Sequence, residues 1–292
     1  MSDASTTLIM GRFDASPGPG PLRTEYQRLV RSALRRGDNQ PEEMLKEPLI
    51  GDYHPSVIKA GINSWRERSL HEHHSAAVFS RLLPQFIAAG ASLDYKAVTL
   101  RASMDELRHA SLCAGIVRLL GGDPIMEADL HTAPLPEHSD ATPKEAALRN
   151  VLFASCLSET VSVALLSEER DLAKEPAIVS VLKQLSADEI LHAKMGWSYL
   201  TETLPELGDR GPERIAGYLP TAFGYLEKKM LAAMPVKTPP PAELQSQADA
   251  LGLMNGRDGR EILYATIEHV IIPRFESLGI AAGRAWASRV KN

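Results

Sequence analysis

Residues 105–109 read Asp105-Glu106-Leu107-Arg108-His109, and residues 188–192 read Asp188-Glu189-Ile190-Leu191-His192, a near copy. In an α-helix, positions i and i+3 lie about 60° apart around the axis, so Glu106 and His109 share a face, as do Glu189 and His192. Two helices that each present Glu-x-x-His, combined with two that each present one glutamate, hold a pair of metal ions inside a four-helix bundle. That reading requires two further inward-facing glutamates on two other helices.

Both are present. Residues 55–89 predict a long helix whose stripe, at steps of four and three, is Ile58, Ile62, Trp65, Ser69, Glu72, Ala76, Phe79, Leu83 and Phe86. Glu72 is the only charge on it. Glu67 is the rival, but its row passes through Ala60, Ser64, His71, His74 and Val78, a wetter face. Pro84 is expected to kink this helix or weaken its last turn. Ser92 can cap a second helix that stops at Gly121-Gly122, with the stripe Tyr95, Thr99, Ala102, Glu106, His109, Cys113, Ile116 and Leu120. Residues 123–141, with Pro124, Pro134 and Pro136, read as a loop crossing the length of the bundle.

Thr142-Pro143-Lys144-Glu145 is a capping box with proline at the first helical position, opening a third helix to about residue 173. Its stripe is Leu148, Leu152, Ser155, Glu159, Ser162 or Val163, and Leu166, with Glu159 the lone charge. A fourth helix over 176–204 aligns Ile178, Leu182, Leu185, Glu189, His192, Gly196 and Tyr199. Glu72 stands 34 residues before Glu106, and Glu159 stands 30 before Glu189, so each pair reads as two long helices joined by a short turn. The chain is thus expected to be all-α. Residues 1–21 are expected to stay without fixed structure, 22–54 to form an amphipathic helix and linker, 55–205 the bundle, and 206–292 a helical extension with helices near 212–233 and 260–275.

Four glutamates facing a bundle core repel one another and lose hydration unless protonated or paired with cations. No lysine or arginine falls on the four stripes, and two divalent ions would balance the four carboxylates. By position, Glu72 and His109 would serve one ion, Glu159 and His192 the other, with Glu106 and Glu189 bridging. Oxygen-rich ligation with one imidazole per ion suits two iron ions, with manganese or a mixed manganese–iron pair as the alternative. Asp105 and Asp188 are expected to hold the outer ring nitrogen of the opposite motif's histidine. Arg108 is expected beside one of these acids or in solvent. A single Glu-x-x-His arises by chance about once in a few hundred residues; two, each preceded by Asp on an otherwise charge-free stripe, are specific.

The charge balance, 32 bases against 37 acids and interspersed, gives −5 and no basic field for nucleic acid. Two cysteines, Cys113 and Cys156, exclude a zinc ribbon or a Cys-rich iron site. No basic start followed by an apolar run is seen, and no stretch reads as a membrane span, so a cytoplasmic protein is expected.

At these residues the sequence resembles the ferritin-like di-iron carboxylate superfamily, over about residues 55–205. Asp105-Glu106-Leu107-Arg108-His109 is similar to the D-E-x-R-H motif of bacterial multicomponent monooxygenases, and Asp188-Glu189-Ile190-Leu191-His192 to the D-E-x-x-H of ribonucleotide reductase small subunits. Glu72-His73-His74-Ser75-Ala76-Ala77-Val78-Phe79 resembles the first-ligand segment of smaller bacterial ferritin-like proteins. Where arylamine N-oxygenases of this architecture carry an additional histidine, this chain has Leu185. The resemblance implies a ferritin-like bundle, a di-iron cofactor, dioxygen activation on a small organic substrate, and an electron-donor protein. A homodimer is compatible with it.

Small residues near the ligands (Ser69, Ala76, Ala102, Cys113, Ser155, Cys156, Ser162, Gly196) either leave a cavity or let the helices approach closely. The competing functions are ferroxidase or peroxide-scavenging chemistry, and a metal-stabilised bundle without turnover. His71, His73 and His74 are expected to be exposed or packed, Cys113 and Cys156 to be small buried hydrophobes, and Trp65 and Tyr199 to be core.

Overall fold

The computed structural model describes residues 10–13, 40–236 and 240–290. The described residues are mostly helical, as the 3.6-residue stripes require. A short helix α1 (Gln40–Met44) precedes α2 (Pro55–Ala88) and α3 (Leu93–Leu119). Helix α4 (Pro143–Leu172) contains a π-helical stretch, Leu152–Glu159, and is followed by α5 (Pro176–Thr203). The C-terminal extension holds α6 (Gly211–Ala233), α7 (Ala242–Ala250), α8 (residues 256–276, with a π turn at Ile267–Ile271) and α9 (Ala282–Ala287). Helices α1, α7 and α9 are additional to those read from the sequence. The amphipathic helix expected over 22–36 lies outside the described residues.

The four long helices pack as α2 on α3, α4 on α5, α3 on α5 and α2 on α4. Their ends follow the punctuation of the sequence. Gly121, at φ +78°, turns the chain out of α3, its amide and that of Gly122 capping Arg118 and Val117. Thr142 Oγ1 accepts the Glu145 amide, capping α4. Ser92 stands at the N-cap of α3 but makes no side-chain cap bond. Pro84 sits inside α2 without ending it.

Two strands, β1 (Met10–Phe13) and β2 (Met126–Asp129), pair antiparallel. They fall in segments expected to be structureless and loop, respectively; pairing across more than a hundred residues leaves no local periodicity to read.

The buried apolar residues form two clusters. One joins Trp65, Ile116, Ile178, Leu182 and Leu185 with Leu251 of the extension, and Trp65 Nε1 donates to the Leu251 carbonyl at 3.2 Å. The other joins Phe79, Phe86, Leu152, Trp197 and Tyr199 with Phe223, Ile267 and Phe275. Along α2, α3 and α5 the order is one cluster, then Glu72, Glu106-His109 or Glu189-His192, then the other cluster. A polar seam therefore divides the interior.

One expectation about composition needs correction. Helix α4 is long enough and apolar enough, with an 18-residue window of mean hydropathy 1.4, to meet a membrane-span criterion. Of that window 56% is buried inside the protein, and a helix that packs apolar side chains against several neighbours meets the criterion in the same way.

Candidate metal centre

Hydroxyl side chains fix α2 against α3 on either side of Glu72. Ser69 Oγ donates to the Ala110 carbonyl at 2.8 Å, Ser103 Oγ to that of Ala76 at 2.9 Å, and Thr99 Oγ1 to that of Phe79 at 3.0 Å. On the other pair, Trp197 Nε1 of α5 donates to Thr160 Oγ1 of α4 at 3.0 Å. Glu159 closes the π stretch, where a widened turn re-aims the side chains that follow it. Gly196 sets the separation of α4 and α5: a Cβ there would overlap the Ser155 Cβ and come 3.0 Å from the Cys156 nitrogen. At this trio, small residues serve close approach rather than a cavity.

The helices bring Glu72, Glu106, His109, Glu159, Glu189 and His192 together. Ligand atoms of Glu72, Glu106, His109 and Glu189 lie within 4.8 Å of one another, as do those of Glu106, Glu159, Glu189 and His192. Glu106 and Glu189 belong to both groups. His109 Nδ1 faces Glu189 at 3.4 Å, Glu106 at 3.7 Å and Glu72 at 3.8 Å. His192 Nδ1 faces Glu189 at 2.8 Å and Glu106 at 3.2 Å.

The outer nitrogens point away. His109 Nε2 meets Asp188 at 3.1 Å and His192 Nε2 meets Asp105 at 3.4 Å, so each pentad's aspartate serves the other's histidine. Each aspartate is in turn held from one turn upstream: Gln184 Nε2 donates to Asp188 at 2.7 Å, and Arg101 Nε to Asp105 at 2.7 Å. Arg108 is buried and pairs with Glu42 of α1.

Electrostatics follows from burying so many acids together. Burial, then the charges of Glu189 and Glu106, drives the Glu159 carboxyl well above the ordinary range. Burial and the Glu189 charge likewise raise Glu106. Glu189 goes the other way, because the charge of His192, together with the nearby His109, outweighs its burial. Burial opposes the charged form of both histidines, yet the surrounding carboxylates hold their protons firmly, Asp188 foremost for His109 and Glu189 for His192. Without a metal the cluster balances its charge with protons.

Protons do not satisfy every group. Both Glu106 carboxylate oxygens and His109 Nδ1 are buried without a hydrogen bond, which in a folded interior calls for a missing partner. The donor set, four carboxylates and two imidazole Nδ1 atoms in two overlapping groups, fits two divalent ions with oxygen-preferring chemistry. No family model, curated protein or solved structure matches this chain.

Sequence reasoning missed one neighbouring pair. Arg68, one turn before Glu72, donates to both oxygens of Glu169 at 2.6 and 2.7 Å and stacks 4.9 Å over Trp65. Its only local cue is a charge at i−4 from Glu72. His71 is exposed, and the half-buried His73 and His74 rings lie 6.0 Å apart and tilted, outside the ligand groups. Cys113 and Cys156 are buried free thiols whose ionisation burial opposes, so both behave as small hydrophobes. Tyr199 packs edge-on against Phe86 and Tyr95 in the core.

Proposed function

We propose that the protein is a di-iron carboxylate oxidoreductase on a ferritin-like four-helix bundle, activating dioxygen to oxidise a small organic substrate. Manganese, alone or paired with iron, is the other loading its ligands suit. The observation that carries this reading is the six-residue cluster, buried except for the half-buried Glu72, with Glu106 and Glu189 common to both ligand groups and Glu106 and His109 Nδ1 lacking hydrogen bonds. Glu72 and His109 would hold one ion and Glu159 and His192 the other. Bound iron or manganese supplies the redox equivalents that dioxygen chemistry requires.

The chain's own residues do the rest. Asp188 and Asp105 accept the Nε2 protons of His109 and His192, which leaves each Nδ1 lone pair aimed into the cluster. Gln184 and Arg101 hold those aspartates in place. The apolar clusters on both sides of the seam narrow the access of water to it. An electron-donor protein and a cytoplasmic setting belong to the same reading.

The test is metal analysis after anaerobic loading, followed by dioxygen consumption. About two iron or manganese ions per chain and metal-dependent oxygen uptake are expected. A chain that takes up neither metal sinks the reading. A large mineral-loaded cage would replace the oxygenase with iron handling.

A further inference from the structure

The two histidine relays end differently. Gln184, behind Asp188, is buried, whereas Arg101, behind Asp105, has a side chain 35% exposed and lines a cleft between α3 and α5. That cleft encloses about 430 Å³ and reaches inward to Asp105, His192 and the buried Ala102. Its size lies within the roughly 300–1,000 Å³ of small-molecule sites.

The charges of the cleft are unequally committed. Asp105 is engaged by Arg101 Nε and faces His192, and burial, then the nearby Glu202 carboxylate, disfavours ionisation of the Tyr95 hydroxyl. Asp94 sits in the first turn of α3, where the helix dipole favours a carboxylate. By contrast, Lys194 and the terminal guanidinium nitrogens of Arg101 have no hydrogen-bond or ion-pair partner among the described residues. The apolar lining comes from Val98, Leu191 and Met195, with the Tyr95 ring beside them.

We propose that this cleft binds a small organic anion with an apolar, ring-sized body, its charge held between Arg101 and Lys194 and its body against Val98, Leu191 and Met195. The occupant lies on the Nε2 side of His192, away from the ligand-facing Nδ1. It therefore contacts the relay of one histidine and leaves that of His109 untouched. This goes beyond the metal reading and does not depend on it.

Calorimetric titration of the full chain with 2-naphthoate and with 2-naphthylmethylamine, each with and without loaded metal, tests the site. The carboxylate is expected to bind saturably, one per chain, and the amine not to bind. Lys194→Glu, an exposed position, is expected to weaken 2-naphthoate about tenfold. Ser198→Trp, which fills the cleft, is expected to abolish binding with helix content unchanged. No saturable binding of 2-naphthoate, equal binding of the amine, or wild-type affinity in Lys194→Glu would overturn the proposal. Should Ser198→Trp misfold, the Lys194→Glu comparison decides. Metal content, read separately, reports on the di-iron reading alone.

Discussion

The Nε2 of His109, in the first pentad, stands 3.1 Å from Oδ2 of Asp188, in the second. The reciprocal pair is His192 with Asp105, so the two motifs are interlocked rather than parallel. Asp188→Ala or Asp105→Ala is expected to loosen metal binding by about 10–100-fold while leaving helix content intact. Chelator competition with circular dichroism measures both quantities. Unchanged affinity in both variants would remove the aspartates from the site.

Glu106 carries two buried oxygens without hydrogen bonds, and burial with the Glu189 charge raises its carboxyl. Glu106→Met, close in volume, is expected to stabilise the metal-free protein by about 1–3 kcal/mol while abolishing paired-metal binding. Urea unfolding in the presence of a chelator reads the first effect and metal analysis the second. A less stable metal-free variant would contradict it.

The cluster's protons must leave when ions enter. Glu106, Glu159, His109 and His192 all hold protons to higher pH than usual, and a ligand has to be unprotonated. Metal affinity should therefore rise with pH through the neutral range, with protons released on loading. Titrations in buffers of different ionisation enthalpy count those protons. Affinity that stays flat between about pH 6 and 8 would mean the cluster is already deprotonated.

Gly196 touches α4 so closely that a Cβ overlaps Ser155. Gly196→Ala should force the two helices apart, costing about 1–3 kcal/mol and weakening the half of the site built from Glu159 and His192. Ser155→Gly in the same chain should restore part of the loss, because it relieves the nearest overlap. Thermal melts of the single and double variants test the coupling.

Arg68 Nη2 donates to both carboxylate oxygens of Glu169, in a pair whose side chains are 23% and 9% exposed. Arg68→Met leaves Glu169 buried without its partner, at a cost of about 2–3 kcal/mol once residual exposure is discounted. Glu169→Met in addition should recover most of it. A double variant no better than the single would indicate that Arg68 acts chiefly on Glu72.

The helical stripes, and the convergence of the candidate ligands, were legible because each such carboxylate is a lone acid on an apolar row. Glu72, Glu106, Glu159 and Glu189 needed no tertiary information beyond the period of the helix. What was illegible has a common cause. Arg68 and Glu169 lie 101 residues apart and only folding shows that they meet. The π stretch before Glu159 shifts the helix by less than a sequence pattern can register. On α2 the buried row passes through Leu82 rather than Leu83 on its way to Phe86, since a straight helix drifts from a strict alternation of four and three. The β1–β2 pairing and the docking of α6–α9 on the long helices are likewise long-range facts.

The seam between the two apolar clusters also fixes alignment. Sliding one long helix by a turn, about 5.4 Å, would carry a carboxylate toward the level of Trp65 or Phe79 and leave it among hydrocarbon, while pulling an apolar side chain into the acids. Two uninterrupted apolar faces would tolerate such a slip far better. The costly buried charges thus act as a registration mark for the four helices, already set before any ion arrives.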